Sequence, residues 1–166
     1  MSTSSFKIAH KLLTGPGAIE QLAAELTRLD VDNPLIVTDA ALVKSGTVAL
    51  ALEHLGERTY EIFDRVLPDP EIAIVEDCMR VYREGGHDGL IGVGGGSAIH
   101  IAQSVAAHAG YHAPLAALFG LDQVPRKRPP PIANPPTAGP RSSVPNLPPL
   151  SAPVVQFKTD LFCHHP

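Results

Sequence analysis

"GLIGVGGGSAIHIAQS", residues 89–104, runs from an apolar stretch through three consecutive glycines and a serine into apolar residues at helical spacing. Ile99, Ala102, Val105 and Ala106 share one side of a helix that begins near Ser97. A strand entering a helix through a glycine corner is the joint of a βα unit, and in open parallel sheets ligands gather at such strand ends. Gly94, Gly95 and Gly96 carry no Cβ, so their backbone N–H groups can approach a phosphate closely, next to the positive end of the helix dipole. Ser97 can cap that helix or donate its hydroxyl to the anion. The same glycines also suit a purely steric corner, and both readings stay open on these residues alone.

Outward from this joint the pattern repeats. "FKIAHKLL" (6–13) reads as a strand, and residues 15–30 as a helix with Ile19, Leu22, Ala23, Leu26 and Leu29 on one face. "PLIVTD" (34–39) has the look of a buried parallel strand that ends in an acid. Residues 40–56 read as a helix closing on Gly56, although Gly46 interrupts it. "RTYEIFD" (58–64) is a strand, and Pro70 opens a helix that Gly85 and Gly86 stop. The alternation predicts an α/β fold, a parallel Rossmann-like sheet with flanking helices.

The rhythm ends near Val124. Twelve of the 17 prolines lie from Pro125 onward, and the charge changes with them. Up to Val124 there are 8 basic residues against 16 acidic, and beyond it 5 against 1. Proline removes backbone donors and forbids a continuous helix or a central strand, so residues 125–166 are expected to form a proline-rich irregular tail behind a domain at 1–124. A polyproline ligand beside Arg126, Lys127 and Arg128 is an alternative use of this tail.

Several classes are excluded. The net charge of −4 argues against nucleic acid as a partner, and no apolar run is long enough to cross a bilayer. The N-terminus lacks a secretory h-region, so a cytoplasmic location is expected. Cys78 and Cys163 stand far apart and read as unpaired thiols. The histidines show no metal-ligand spacing, and the carboxylates offer no acid/base pair.

Asp39 ends the "LIVTD" strand on the sheet edge that carries the glycines. An acid there can accept hydrogen bonds from an adenosine ribose and would repel a 2′-phosphate, favouring NAD over NADP. Equally, it can cap the helix that follows. The order is not that of GxGxxG, in which the acid follows the glycines by about 20 residues.

That reversed order, with "LLTGPGAIEQL", "LIVTDAALVKSG", "LPDP", "GGHDGLIGVGGGSAIHIAQ" and "IANPPTAG" in sequence, resembles the N-terminal half of the iron-containing (group III) alcohol dehydrogenase family. That family is related to dehydroquinate synthase and glycerol dehydrogenase. The resemblance runs from about Phe6 to the end. It implies an NAD(P)-binding domain in which Asp39 meets the adenosine ribose and Gly95, Gly96 and Ser97 hold the pyrophosphate. "PTAGPRSS" is similar to the family's TTAGTGSE on the nicotinamide side, with Thr137 and Ser142 retained.

The departures are specific. His100 and Gln103 stand where the family has the Asp and Lys of GGGSxxDxxK, and Pro136, Pro140, Arg141 and Ser143 replace Thr, Thr, Gly and Glu. The resemblance also implies a divalent metal, iron or zinc, bound by an Asp and three His on an all-helical C-terminal domain that this chain does not reach. The expectation is therefore the cofactor-binding part of an NAD-dependent alcohol dehydrogenase, truncated and inactive alone. An alcohol or aldehyde substrate would belong only to the complete enzyme, and a homodimer is compatible with it. The rival is a non-catalytic nucleotide-binding or protein-interaction module with a proline-rich tail.

Overall fold

The computed structural model describes residues 11–14, 17–68, 71–109, 129–134 and 155–158. Among these residues six strands form one sheet: β1 (Lys11–Thr14), β2 (Pro34–Val37), β3 (Glu61–Phe63), β4 (Gly89–Val93), β5 (Pro131–Asn134) and β6 (Val155–Lys158). Their order is β1-β6-β5-β4-β2-β3, and every neighbouring pair is parallel. Leu35 stands opposite Leu90, and Ile91 opposite Ile132. The α/β parallel architecture expected from the alternation is what forms.

Helices cover both faces of the sheet: α1 (Leu22–Arg28), α2 (Ala40–Lys44), α3 (Thr47–Leu52), α4 (Ile72–Glu84) and α5 (Gly96–His108). Every residue of β2 and β4 is buried, because a doubly covered parallel strand has no solvent face. One core layer joins Leu35, Val37, Phe63 and Leu90 to Cys78, Met79 and Tyr82 of α4 and to Ile101, Ala102 and Val105 of α5. The opposite layer joins Ile36, Ile91, Val93 and Ile132 to Leu22 and Leu26 of α1 and to Val48 and Ala51 of α3.

Element boundaries differ from the sequence expectations for local reasons. The helix expected over 15–30 is a 3-10 turn, Ala18–Gln21, followed by α1. The helix expected over 40–56 is two, because Gly46 adopts a left-handed φ of 82° and becomes the N-cap of α3. Residues 58–60 stay outside β3, and α4 starts at Ile72.

The expectation that proline density forbids a central strand after residue 125 is corrected at two places, because β5 and β6 each pair with a strand on both sides. β5 lies between β4 and β6, with Ile132 and Ala133 buried. Pro131 opens that strand, where a missing N–H is tolerated, and the Pro130 carbonyl accepts from Leu90 N–H at 3.4 Å. Most of the remaining tail, and the boundary at 124, lie outside the described residues.

The topology has one reversal. From β2 the chain moves out to β3, then returns across β2 to β4 and continues outward through β5 and β6. The carboxyl ends of β2 and β4 therefore flank the switch point, the crevice where open α/β sheets bind ligands.

Candidate dinucleotide site

Both predicted halves of the site stand at this switch point. Asp39 follows β2, and Gly94, Gly95 and Gly96 follow β4. A Cβ placed on Gly94 would lie 3.9 Å from Asp39 Oδ2. The fold thus brings together an acid and a glycine turn that are 55 residues apart in sequence.

The two readings of Asp39 are compatible. Its Oδ1 accepts the backbone N–H of Leu42 at 2.9 Å and so caps α2. Among the described residues Oδ2 has no hydrogen-bond partner, and it is the oxygen nearer the glycines. One carboxylate can close a helix with one oxygen and present the other to a ligand.

The glycines divide into two kinds. On Gly92 a Cβ would meet Ile99 Cα at 3.1 Å and the Ala98 carbonyl at 3.3 Å, so this glycine lets α5 lie against β4. Gly94, at φ 148°, would bring a Cβ to 3.1 Å from Ala98 Cβ and 3.2 Å from Leu42 Cδ1. These two serve packing and backbone conformation. A Cβ on Gly95 would meet nothing within 4 Å, and on Gly96 only His100 Cε1 at 4.0 Å. Gly95 also has φ −72° and ψ −170°, which any residue adopts. Nothing among the described residues requires glycine at 95 or 96, and none of them fills the space a side chain would take.

The donors fit the same group. Gly95 is the N-cap of α5 and has no side-chain cap, and the first helical bond runs from Ile99 N–H to the Gly95 carbonyl at 3.3 Å. The N–H groups of Gly96, Ser97 and Ala98 precede it and face outward along the positive end of the dipole. Ser97 is therefore a residue of the first turn and not the cap, which leaves its half-buried hydroxyl available to an anion. Among the described residues the glycines without a Cβ contact, the uncapped N-terminus of α5 and the Asp39 carboxylate thus stand together at the switch point.

Thr137 and Ser142 lie outside the described residues. His100 is exposed at the edge of the turn; Gln103 is buried one turn further on, and among the described residues its Oε1 has no partner. Among the described residues no three His, Cys, Asp or Glu side chains are grouped so as to hold a metal ion. No step through a metal can be assigned to them. Sequence reasoning missed Arg65, whose backbone bridges that of Asp39. A basic residue two positions past the strand that neighbours β2 was the available signal.

The model of the iron-containing alcohol dehydrogenase family matches residues 9–158. The chain belongs to the iron-containing alcohol dehydrogenase family. A long-chain-alcohol dehydrogenase of Geobacillus thermodenitrificans is 36% identical over 142 residues, covering 82% of this chain and 36% of the relative. The 4-hydroxybutyrate dehydrogenase of Cupriavidus necator is 33% identical over 132 residues, covering 77% and 35%. Among solved structures, an alcohol dehydrogenase from Oenococcus oeni superposes with a TM-score of 0.79 at 26% identity, over 95% of this chain and 46% of that one. A sulfoacetaldehyde reductase from Bifidobacterium kashiwanohense, solved in complex with NAD+, has the same fold at a TM-score of 0.79 and 20% identity, over 95% and 46%. This chain thus spans about a third of the curated relatives' length. No helix among the described residues is long and apolar enough to cross a membrane.

Proposed function

We propose that this chain is the dinucleotide-binding part of an NAD-dependent, iron-containing alcohol dehydrogenase, which passes hydride between an alcohol and NAD. The observation that carries the reading is that no described residue fills the space over Gly95 and Gly96 or partners the Oδ2 of Asp39 beside Gly94. The backbone N–H groups of Gly96, Ser97 and Ala98 hold the pyrophosphate, and the Ser97 hydroxyl adds a donor. Asp39 accepts from the ribose hydroxyls and orders the adenosine end. Bound in this way, the cofactor supplies the hydride acceptor or donor. Thr137 and Ser142 belong to the nicotinamide side.

The metal that polarises the alcohol oxygen, and the alcohol or aldehyde itself, belong to the complete enzyme. A cytoplasmic location and a homodimer accompany this reading. Relatives that are dehydrogenases and reductases do not favour the interaction-module alternative.

Fluorescence titration of the purified chain with NADH tests the proposal. Saturable binding that weakens at least about tenfold in Asp39→Ala, the loss of a charge-assisted hydrogen bond, is the expected result. No binding by a chain whose circular dichroism shows a folded α/β domain would refute it.

A further inference from the structure

The adenosine end of the proposed site has a cation beside it that the reading above does not use. Arg65 lies two residues past β3, and its backbone pairs with that of Asp39 in an isolated antiparallel bridge. Backbone bonds on either side hold the pairing: Thr38 N–H donates to the Phe63 carbonyl at 2.9 Å, and Val66 N–H to the Thr38 carbonyl at 3.2 Å. Residues opposed in this way project to the same side, with Cβ atoms about 5 Å apart.

A guanidinium so placed could pair with Asp39, but it is held elsewhere. Its Nη1 lies 2.6 Å from Asp77 Oδ2 on α4, and its central carbon sits 4.6 Å over the Phe63 ring. Asp77 in turn is also hydrogen-bonded by Arg80. Among the described residues the Asp39 carboxylate is left with Leu42 N–H on one oxygen and nothing on the other.

We propose that Arg65 is a specificity-determining residue for the dinucleotide and that Asp77 holds it out of use. With Arg65 tied to Asp77, the Asp39 charge at the ribose is not neutralised, and a 2′-phosphate is repelled. Freed from Asp77, the guanidinium is the cation on the Asp39 corner, and a planar arginine fork is the group that accommodates a 2′-phosphate. The choice between NAD and NADP then depends on Asp39, Arg65 and Asp77 together. This inference rests on the dinucleotide reading of the site.

The test is fluorescence titration of the purified chain with NADH and with NADPH, in the native form, in Asp77→Asn and in Asp77→Asn/Arg65→Gln. Asp77→Asn is expected to lower the ratio of the NADPH Kd to the NADH Kd by about tenfold, and the double variant to restore it. Asp77 is half-buried, with 27% of its side chain exposed, and Asp77→Ser serves where the asparagine form loses its circular dichroism. An unchanged ratio with NADH binding intact overturns the role of Arg65 and leaves the site reading standing. A ratio lowered equally in the double variant also overturns it, because the lost Asp77 charge alone would then be the cause. Failure of the native chain to bind NADH overturns both.

Discussion

Four glycines that look alike in "GVGGG" have different work to do. Gly92 exists because the Ile99 Cα and the Ala98 carbonyl of α5 come within 3.3 Å of where its Cβ would be. Both contacts are backbone, so an added methyl has to push the helix off the sheet. Gly92→Ala is expected to lower stability by about 1–3 kcal/mol, measured by urea denaturation, with the loss expressed as a lower midpoint at unchanged slope. A Cβ on Gly95 meets none of the described residues, and its conformation is an ordinary extended one. From sequence the glycines could be placed at a strand-to-helix corner, and Asp39 on the same edge. Which glycine is packing and which is vacancy depends on distances across 4 Å, and these come only from the fold. The two oxygens of Asp39 are of the same kind, since cap and ligand group are legible in the sequence as rivals, and only the fold shows the cap using Oδ1 alone.

Among the elements, α4 shows how burial changes a side chain's chemistry. Cys78 is fully buried between α4 and the sheet, and burial, with Asp77 beside it, pushes its thiol up from 9.0 to about 12. Tyr82, one turn on, is pushed up from 10.0 to about 12, again chiefly by burial, with Asp88 adding to it. Both groups are neutral when protonated, and their folded values lie above the unfolded ones. Their contribution to stability is therefore complete below about pH 9 and is lost as the pH rises to about 12, because only the unfolded chain ionises readily in that window. The denaturation midpoint is expected to fall steadily between pH 9 and 11, and in Cys163→Ser the remaining thiol should react with iodoacetamide only as the chain unfolds. A midpoint flat over that range would contradict the burial. The strong periodicity of α4, α5, β2 and β4 made these elements readable. Residues 40–56 were harder, because propensity and period both allow one helix there, and it is the left-handed turn at Gly46 that redirects the chain.

At the scale of the whole molecule, the sheet order decides which segments meet. Because β4 returns to the far side of β2, Asp39 and the glycine turn meet, although nothing local in either segment requires it. Strand order is a property of long-range packing, so the sequence could suggest a parallel sheet but not the position of the reversal. The same packing draws β5 out of a proline-rich segment: Ile132 is 1% exposed and joins the layer formed with α1 and α3. Ile132→Ala is expected to cost about 2–5 kcal/mol by thermal or urea unfolding, whereas a tail packed on nothing would lose almost none. The binding reading itself is tested most directly by NADH fluorescence titration of Gly95→Val beside the native chain, with urea denaturation of both. The expected result is stability within about 1 kcal/mol of native, since no described residue stands where the Cβ goes and the N-cap preference is modest, together with loss of NADH binding. Native-like NADH affinity in the folded variant would contradict it, and would make the glycine turn a corner and nothing more.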